Sequence, residues 1–293
     1  MLKFLRPTPQ WAAIALDPSQ RPVTVHLGDG RDLTDQHGVA SLRPLIIALG
    51  TDAGENAVLE LREGNRLLGV LHLAKIGTAA AGGAILYRVA AGDHRCQSWP
   101  SRSLHRWRQD RAERRRRPGD DFRMEPAAAR HLAIAYIRPR PVVLVSVAAP
   151  GHFNMFPMDL IGAAGSRVTL ALRITNVSIP VMRDGGGVVL SCLPAEMKPH
   201  AYALAERHGS PLGEGATLPF ATRSSSILGI PSVGAALRVR ELIVRHAEDI
   251  GSHIFFTADI LSDDSSIHGA QLHHVPGFYQ AYRRRHGLGF PEA

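Results

Sequence analysis

The stretch that decides the fold reads Arg138-Pro139-Arg140-Pro141-Val142-Val143-Leu144-Val145-Ser146-Val147-Ala148-Ala149-Pro150-Gly151-His152-Phe153-Asn154-Met155-Phe156-Pro157-Met158-Asp159. Its valine- and leucine-rich run from Val142 to Val147 has the length and β-branched content of a buried strand. Ala149-Pro150-Gly151 marks a turn. Beyond Gly162 to Gly165 comes a second strand, Val168 to Leu172, which ends in Arg173 and the polar turn Thr175-Asn176-Val177-Ser178. A third strand, Val188 to Leu193, follows Gly185, Gly186 and Gly187. Strands separated by glycine turns point to an antiparallel barrel rather than a βαβ sheet.

Further along, Glu196 to His208 reads as a helix in its second half, stopped by Gly209. A Gly-, Pro- and Ser-rich loop over 209–232 is expected to edge the pocket. Ala236 to Arg245 alternates as a strand and pairs with Ile254 to Leu261 across Asp249-Ile250-Gly251. Tyr279 to Gly287 reads as a short basic helix.

Four features occur in order: Arg140-Pro141 before the first strand, Asn154-Met155-Phe156-Pro157 after it, the hydroxyl-bearing turn after the next, and Gly251-Ser252-His253-Ile254-Phe255-Phe256. This order resembles the flavin-reductase-like family, and the resemblance spans residues 123–264. It implies a mainly β fold, an FMN-binding split β-barrel with short helices, joined here to a smaller N-terminal β-rich domain. It also implies an oxidoreductase, an NAD(P)H-dependent flavin reductase supplying reduced flavin, with FMN as cofactor and NADH or NADPH as co-substrate. Family pockets are completed across a subunit interface, so a homodimer is expected, with a monooxygenase as a partner that consumes the reduced flavin.

The FMN phosphate needs positive charge, hydroxyls and amides. The resemblance assigns it to the turn of Arg173, Thr175, Asn176 and Ser178, where a guanidinium suits phosphate. The same residues also read as a polar turn that satisfies its own backbone. The ring needs a flat, mostly apolar slot, assigned to Asn154, Met155, Phe156, Pro157, Met158 and Asp159. Without the resemblance, Phe153, Phe156 and Met158 read as ordinary core. His253 matches the family histidine beside the nicotinamide, where it would orient that ring or neutralise the reduced flavin. Ser252 stands where the family has Asp, and the alternative for His253 is a strand-start histidine held by backbone.

Residues 1–95 are expected to form the N-terminal β-rich domain, 96–135 a basic helical connector and 136–293 the barrel domain. In the first, Pro22 to Leu27, Leu45 to Leu49, Ala57 to Leu61, Leu67 to Leu73 and Ile85 to Val89 read as strands. Nothing there pairs a nucleophile with a base. Ser103 to Arg117 reads as a helix whose basic end, Arg114 to Arg117, is a solvated face or an anion contact. Pro126 to Ala135 reads as a second helix.

The net charge of +8 is concentrated between Arg95 and Arg117 and at Arg283 to Arg285. Within the expected basic helix only Trp107 lies among the arginines, which argues against base stacking on nucleic acid. No apolar run reaches the roughly 18 residues that cross a bilayer. Pro7 and Pro9 interrupt the start before a signal-peptide core can form, so a cytoplasmic protein is expected. Cys96 and Cys192 are too few and too far apart for a disulfide framework. His268, His273 and His274 match no metal-ligand spacing, so no metal is expected. Two other functions stay open: an enzyme that keeps FMN bound and acts on an organic substrate, and a non-catalytic binding module built on the N-terminal domain and basic helix.

Overall fold

The computed structural model describes residues 10–79, 83–98, 124–183, 185–213, 215–265 and 267–293, with positions 100, 102–104, 107 and 111. The start with Pro7 and Pro9, and Ala112 to Arg117 of the expected basic helix, lie outside the described residues. Earlier in that expected helix, Ser103, Leu104, Trp107 and Arg111 are helical, as is Arg102 just before it.

The chain opens with β1 (Trp11–Leu16), then β2 (Thr24–Leu27), β3 (His37–Leu42), β4 (Leu45–Leu49), β5 (Asn56–Glu63), β6 (Arg66–Thr78) and β7 (Ile85–His94). Strands β2 to β7 form an antiparallel sheet in the order β2-β5-β6-β7-β4-β3. The β5–β6 hairpin closes through Gly64, whose φ of 55° lies in the left-handed region open to glycine. Strand β1 stands apart from this sheet and pairs with the end of the chain.

Helix α1 (Pro126–Ala135) leads to β8 (Arg140–Pro141), and then the barrel strands begin. They are β9 (Val143–Ala149), β10 (His152–Met158), β11 (Ile161–Ala164), β12 (Arg167–Arg173) and, after the short α2 (Ile179–Met182), β13 (Gly187–Cys192). The expected helix over 196–208 is broken into a 3-10 turn at Ala195–Met197, α3 (Lys198–Ala203) and a second 3-10 turn at Ala205–His208. A small hairpin of β14 (Thr222–Ser224) and β15 (Pro231–Val233) precedes the long pair β16 (Arg238–Ile250) and β17 (His253–Asp264). Last come β18 (Gln271–Pro276) and α4 (Gly277–Arg285).

Seven strands form a curled sheet in the order β10-β9-β13-β16-β17-β12-β11. The fold is mainly β, with short helices. Strand β18 is flanked by β1 and β8, so the first strand of the chain is held by its last. Among the described residues no helix is long and apolar enough to cross a membrane.

One apolar core runs through both sheets, joining Val39, Ile47 and Leu73 to Val145, Phe156 and Phe256. Two close approaches of backbone fix the join. A Cβ on Gly162 of β11 would sit 2.5 Å from Gly38 Cα and 2.6 Å from the His37 carbonyl of β3. At the β16–β17 turn, Gly251 has φ 57° and a Cβ there would meet the Arg43 carbonyl at 2.3 Å. Ser252 completes that contact: its N–H donates to the Arg43 carbonyl at 2.9 Å, and its Oγ accepts the Arg43 N–H at 3.0 Å.

Candidate functional site

The turn after β12 is drawn against β10. Asn154 is fully buried on β10, and its Nδ2 donates to Ser178 Oγ at 2.9 Å and to the Arg207 carbonyl at 2.8 Å. Asn176 Oδ1 accepts the Ser178 N–H at 2.8 Å, and Asn176 Nδ2 donates to His208 Nδ1 at 2.9 Å. That leaves the His208 proton on Nε2, which donates to the Pro157 carbonyl at 2.9 Å. Burial lowers the His208 pKa, in keeping with this neutral, singly protonated ring. His208 therefore ties the turn, β10 and the 3-10 segment together.

Asn154 and Ser178, expected in one site, are thus brought into contact, but they are spent on each other. The turn's amides are committed as well: Asn176 N–H to the Arg173 carbonyl, Val177 N–H to that of His208, Ile179 N–H to that of Asn176. In the same turn Arg173 is half-buried and Thr175 exposed.

The apolar members of the ring slot lie inside the protein. Phe156 and Met158 belong to the main core, while Met155 packs in a second cluster with Val142, Leu144 and Val189. Pro157 is half-buried and its carbonyl is taken by His208. Asp159 Oδ2 accepts from His274 Nδ1 at 2.9 Å, and Oδ1 accepts the Tyr136 hydroxyl at 3.2 Å.

His253 pairs in register with Arg173 across β17 and β12. Only 1% of it is exposed, and burial, aided by the Arg173 charge, pushes its pKa down to about 4. The ring is therefore neutral near pH 7 and enclosed. Its Nδ1 lies 2.9 Å from Ser252 Oγ, the atom that also accepts the Arg43 N–H. Ser252, where the resemblance leads one to expect Asp, thus has a local role.

A cavity of about 720 Å³ opens between the β1–β2 connection, β8, the start of β11, β16 and the segment before β18. Arg21 and Arg138 line it and share Asp35, and Arg238 and Arg240 line it and share Asp263. Each pair carries one positive charge beyond its carboxylate, with Asp17 also on the lining. Burial, with the nearby Arg140, lowers the Arg138 pKa to about 10, which still leaves it charged.

Two buried imidazoles also face this space. His37 Nδ1 donates to the Leu33 carbonyl at 2.7 Å and His273 Nδ1 to that of Gln271 at 3.0 Å, which leaves each Nε2 as a lone pair. Burial holds both neutral: the His37 pKa is pushed well below the usual value, and that of His273 to about 4. His273 and His274 point to opposite faces of β18, as neighbours on a strand do. Among the described residues no group of His, Cys, Asp or Glu gathers in metal-binding numbers.

No protein-family model matches the chain, and no curated protein matches it in sequence. Solved structures do resemble it. The NADH:FAD oxidoreductase SgcE6 of Streptomyces globisporus C-1027 is 14% identical, aligning over 55% of this chain and 95% of its own, with a TM-score of 0.45. The styrene monooxygenase flavin reductase SMOB of Pseudomonas putida S12 is 14% identical over 50% of this chain and 93% of its own, at 0.42. An FMN-binding protein from Thermus thermophilus, solved with p-hydroxybenzaldehyde, is 15% identical over 47% and 83%, at 0.41. All three likenesses are distant, at low identity and over about half of this chain.

The cavity, His208, Tyr136, Tyr202 and the role of His274 escaped the sequence. The cavity wall is assembled from residues as far apart as Asp17 and His273. His208 offered one local signal, a histidine just ahead of the helix stop at Gly209.

Proposed function

We propose that the protein is a flavin-handling oxidoreductase, an NAD(P)H-dependent reductase that delivers reduced flavin, FMN first among the acceptors. The observation that carries this is the convergence of three motifs on one end of the curled sheet. Asn154 bonds Ser178 at 2.9 Å, and Arg173 of the same turn pairs with His253. Polar residues so far apart in sequence have no reason in strand propensity alone to meet there.

A bound flavin accepts and passes on hydride, while the chain supplies position and charge. Arg173 and Thr175 hold the phosphate from the outer side of the turn. Because Ser178 and the turn amides are already satisfied, the grip is weak, which favours flavin as a transient substrate over flavin as a resident group. The cavity suits the phosphorylated co-substrate. Its volume lies in the range of roughly 300 to 1,000 Å³ usual for ligand sites. Two arginine pairs line it. Ile174, exposed between Arg173 and Thr175, is an apolar residue that a second copy would cover in a homodimer. A monooxygenase would consume the product.

The test is NAD(P)H oxidation followed at increasing free FMN. The rate should saturate in FMN, and Arg173→Ala should weaken flavin binding about fivefold, roughly 1 kcal/mol for a half-exposed charge-assisted contact. A protein that neither quenches flavin fluorescence nor oxidises NAD(P)H when FMN is supplied would refute this function.

A further inference from the structure

Away from the turn and the cavity, three side chains from separate parts of the chain form a hydrogen-bonded line. Asp159 lies between β10 and β11, His274 on β18 and Tyr202 on α3. Asp159 Oδ2 is 2.9 Å from His274 Nδ1, and His274 Nε2 is 2.8 Å from Tyr202 Oη. An ionised carboxylate only accepts, so the imidazole proton is fixed on Nδ1. Nε2 then presents a lone pair, and the phenol is the donor.

Asp159 is kept ionised. Burial pushes its pKa up, but the hydrogen bond from His274, the Arg140 charge and the Tyr136 hydroxyl hold it below the ordinary value. Arg140 is itself buried beside Tyr136, its guanidinium 5.0 Å from the ring centre. At the far end of the line Tyr202 is 41% exposed. A tether between α3 and β18 has no need of an exposed phenol. A nucleophile, a base behind it and a group orienting the base do need this arrangement.

We propose that Tyr202 is a nucleophile served by His274 as general base and Asp159 as positioning residue, and that it takes the acyl group of small activated carboxylic esters. Tyr202 Oη bonds to the ester carbonyl carbon as its proton passes to His274 Nε2. The bond from that carbon to the leaving oxygen then breaks, and the leaving group takes the proton from His274. Ester and tyrosine become acyl-tyrosine and alcohol, with no change of oxidation state. Burial and the Asp159 charge raise the Tyr202 pKa, so no phenolate is stored in the resting protein. The proton has to leave during the attack, which is why the base is required. Of the residues assigned to flavin this site shares only Asp159, and it needs no flavin bound.

The experiment treats the full-length protein with p-nitrophenyl acetate and follows p-nitrophenol release, with acetylated peptides located by mass spectrometry. Tyr282 is the internal control. It is partly exposed, and its hydroxyl lies 3.4 Å from Arg66 rather than against an imidazole acceptor. Tyr202 should acetylate at least about tenfold faster than Tyr282, within the usual reach of general-base catalysis. His274→Gln should bring Tyr202 down to the Tyr282 rate, and Tyr202→Phe should abolish the fast phase. Nitrogen NMR should show a protected His274 Nδ1 proton, lost in Asp159→Asn together with at least about tenfold in labelling. Equal labelling of Tyr202 and Tyr282 in the unaltered protein overturns the proposal whatever the variants do. Parental labelling in His274→Gln, or in Asp159→Asn, overturns it as well.

Discussion

Replacing Asn154 with alanine tests whether the turn after β12 is sealed by side chains or open to a ligand. The substitution removes the Nδ2 donor from Ser178 Oγ and from the Arg207 carbonyl, at 2.9 and 2.8 Å. A buried group left without its partner costs about 1–3 kcal/mol. The Ser178 hydroxyl can rotate towards another acceptor, whereas the Arg207 carbonyl is fixed by its backbone. The expected loss is therefore about 3 kcal/mol, or roughly 6–12 °C in thermal midpoint for a chain of this size. Ser178→Ala removes one acceptor and leaves the other Asn154 N–H bonded, so about 1–2 kcal/mol is expected. Residues in direct contact are not additive, and the double variant should fall short of the sum by about 1 kcal/mol. Urea denaturation with linear extrapolation measures all three. Flavin titration adds the deciding readout, because a sealed Ser178 should influence stability more than affinity. A Ser178→Ala protein of parental stability that has lost flavin binding would place the phosphate inside the turn and refute this account.

Acid should destabilise the fold through its enclosed histidines. His253 and His273 have pKa values pushed down to about 4 by burial, against about 6.5 in the unfolded chain. Above about pH 7 neither state binds the proton and nothing is lost; below that the unfolded chain takes it up first, so stability falls as pH falls. At about pH 5 each ring should cost on the order of 2 kcal/mol, and equal urea midpoints at pH 7 and pH 5 would contradict the burial of both. Gly162→Ala should destabilise by about 3 kcal/mol or more, because the new methyl meets backbone of Gly38 and His37 that cannot swing aside. A midpoint within about 1 °C of the parent would show that β3 and β11 separate readily.

The barrel was legible wherever composition and turn chemistry agree. The valine run and the alternation from Ala236 onward gave β9, β16 and β17, with the pairing of the last two, whereas the string after Pro150-Gly151 was not read as the strand β10 that pairs with β9. Apolar residue types were less informative, because Phe156 and Met158 suit a ring slot and a core equally, and only the facing of β10 decides between them. Pairing across the length of the chain was invisible: nothing local in Trp11 to Leu16 says that it joins Gln271 to Pro276. The relay of Asp159, His274 and Tyr202 is illegible for the same reason, since its parts meet through three different elements.

Ser252 shows how a departure from an expected motif acquires a physical cause. An Asp in its place would be an acceptor alone, and would orient the His253 imidazole by taking its proton. The serine hydroxyl accepts the Arg43 N–H and still has a proton to offer His253 Nδ1. The same oxygen thus links the tip of the N-terminal sheet to the histidine beside Arg173. Gly251 permits this, since a side chain there would strike the Arg43 carbonyl. The N-terminal sheet is therefore joined to the barrel at the candidate site itself, and a change at Arg43 or Gly251 should reach His253 through the two hydrogen bonds that meet at Ser252 Oγ rather than through the core.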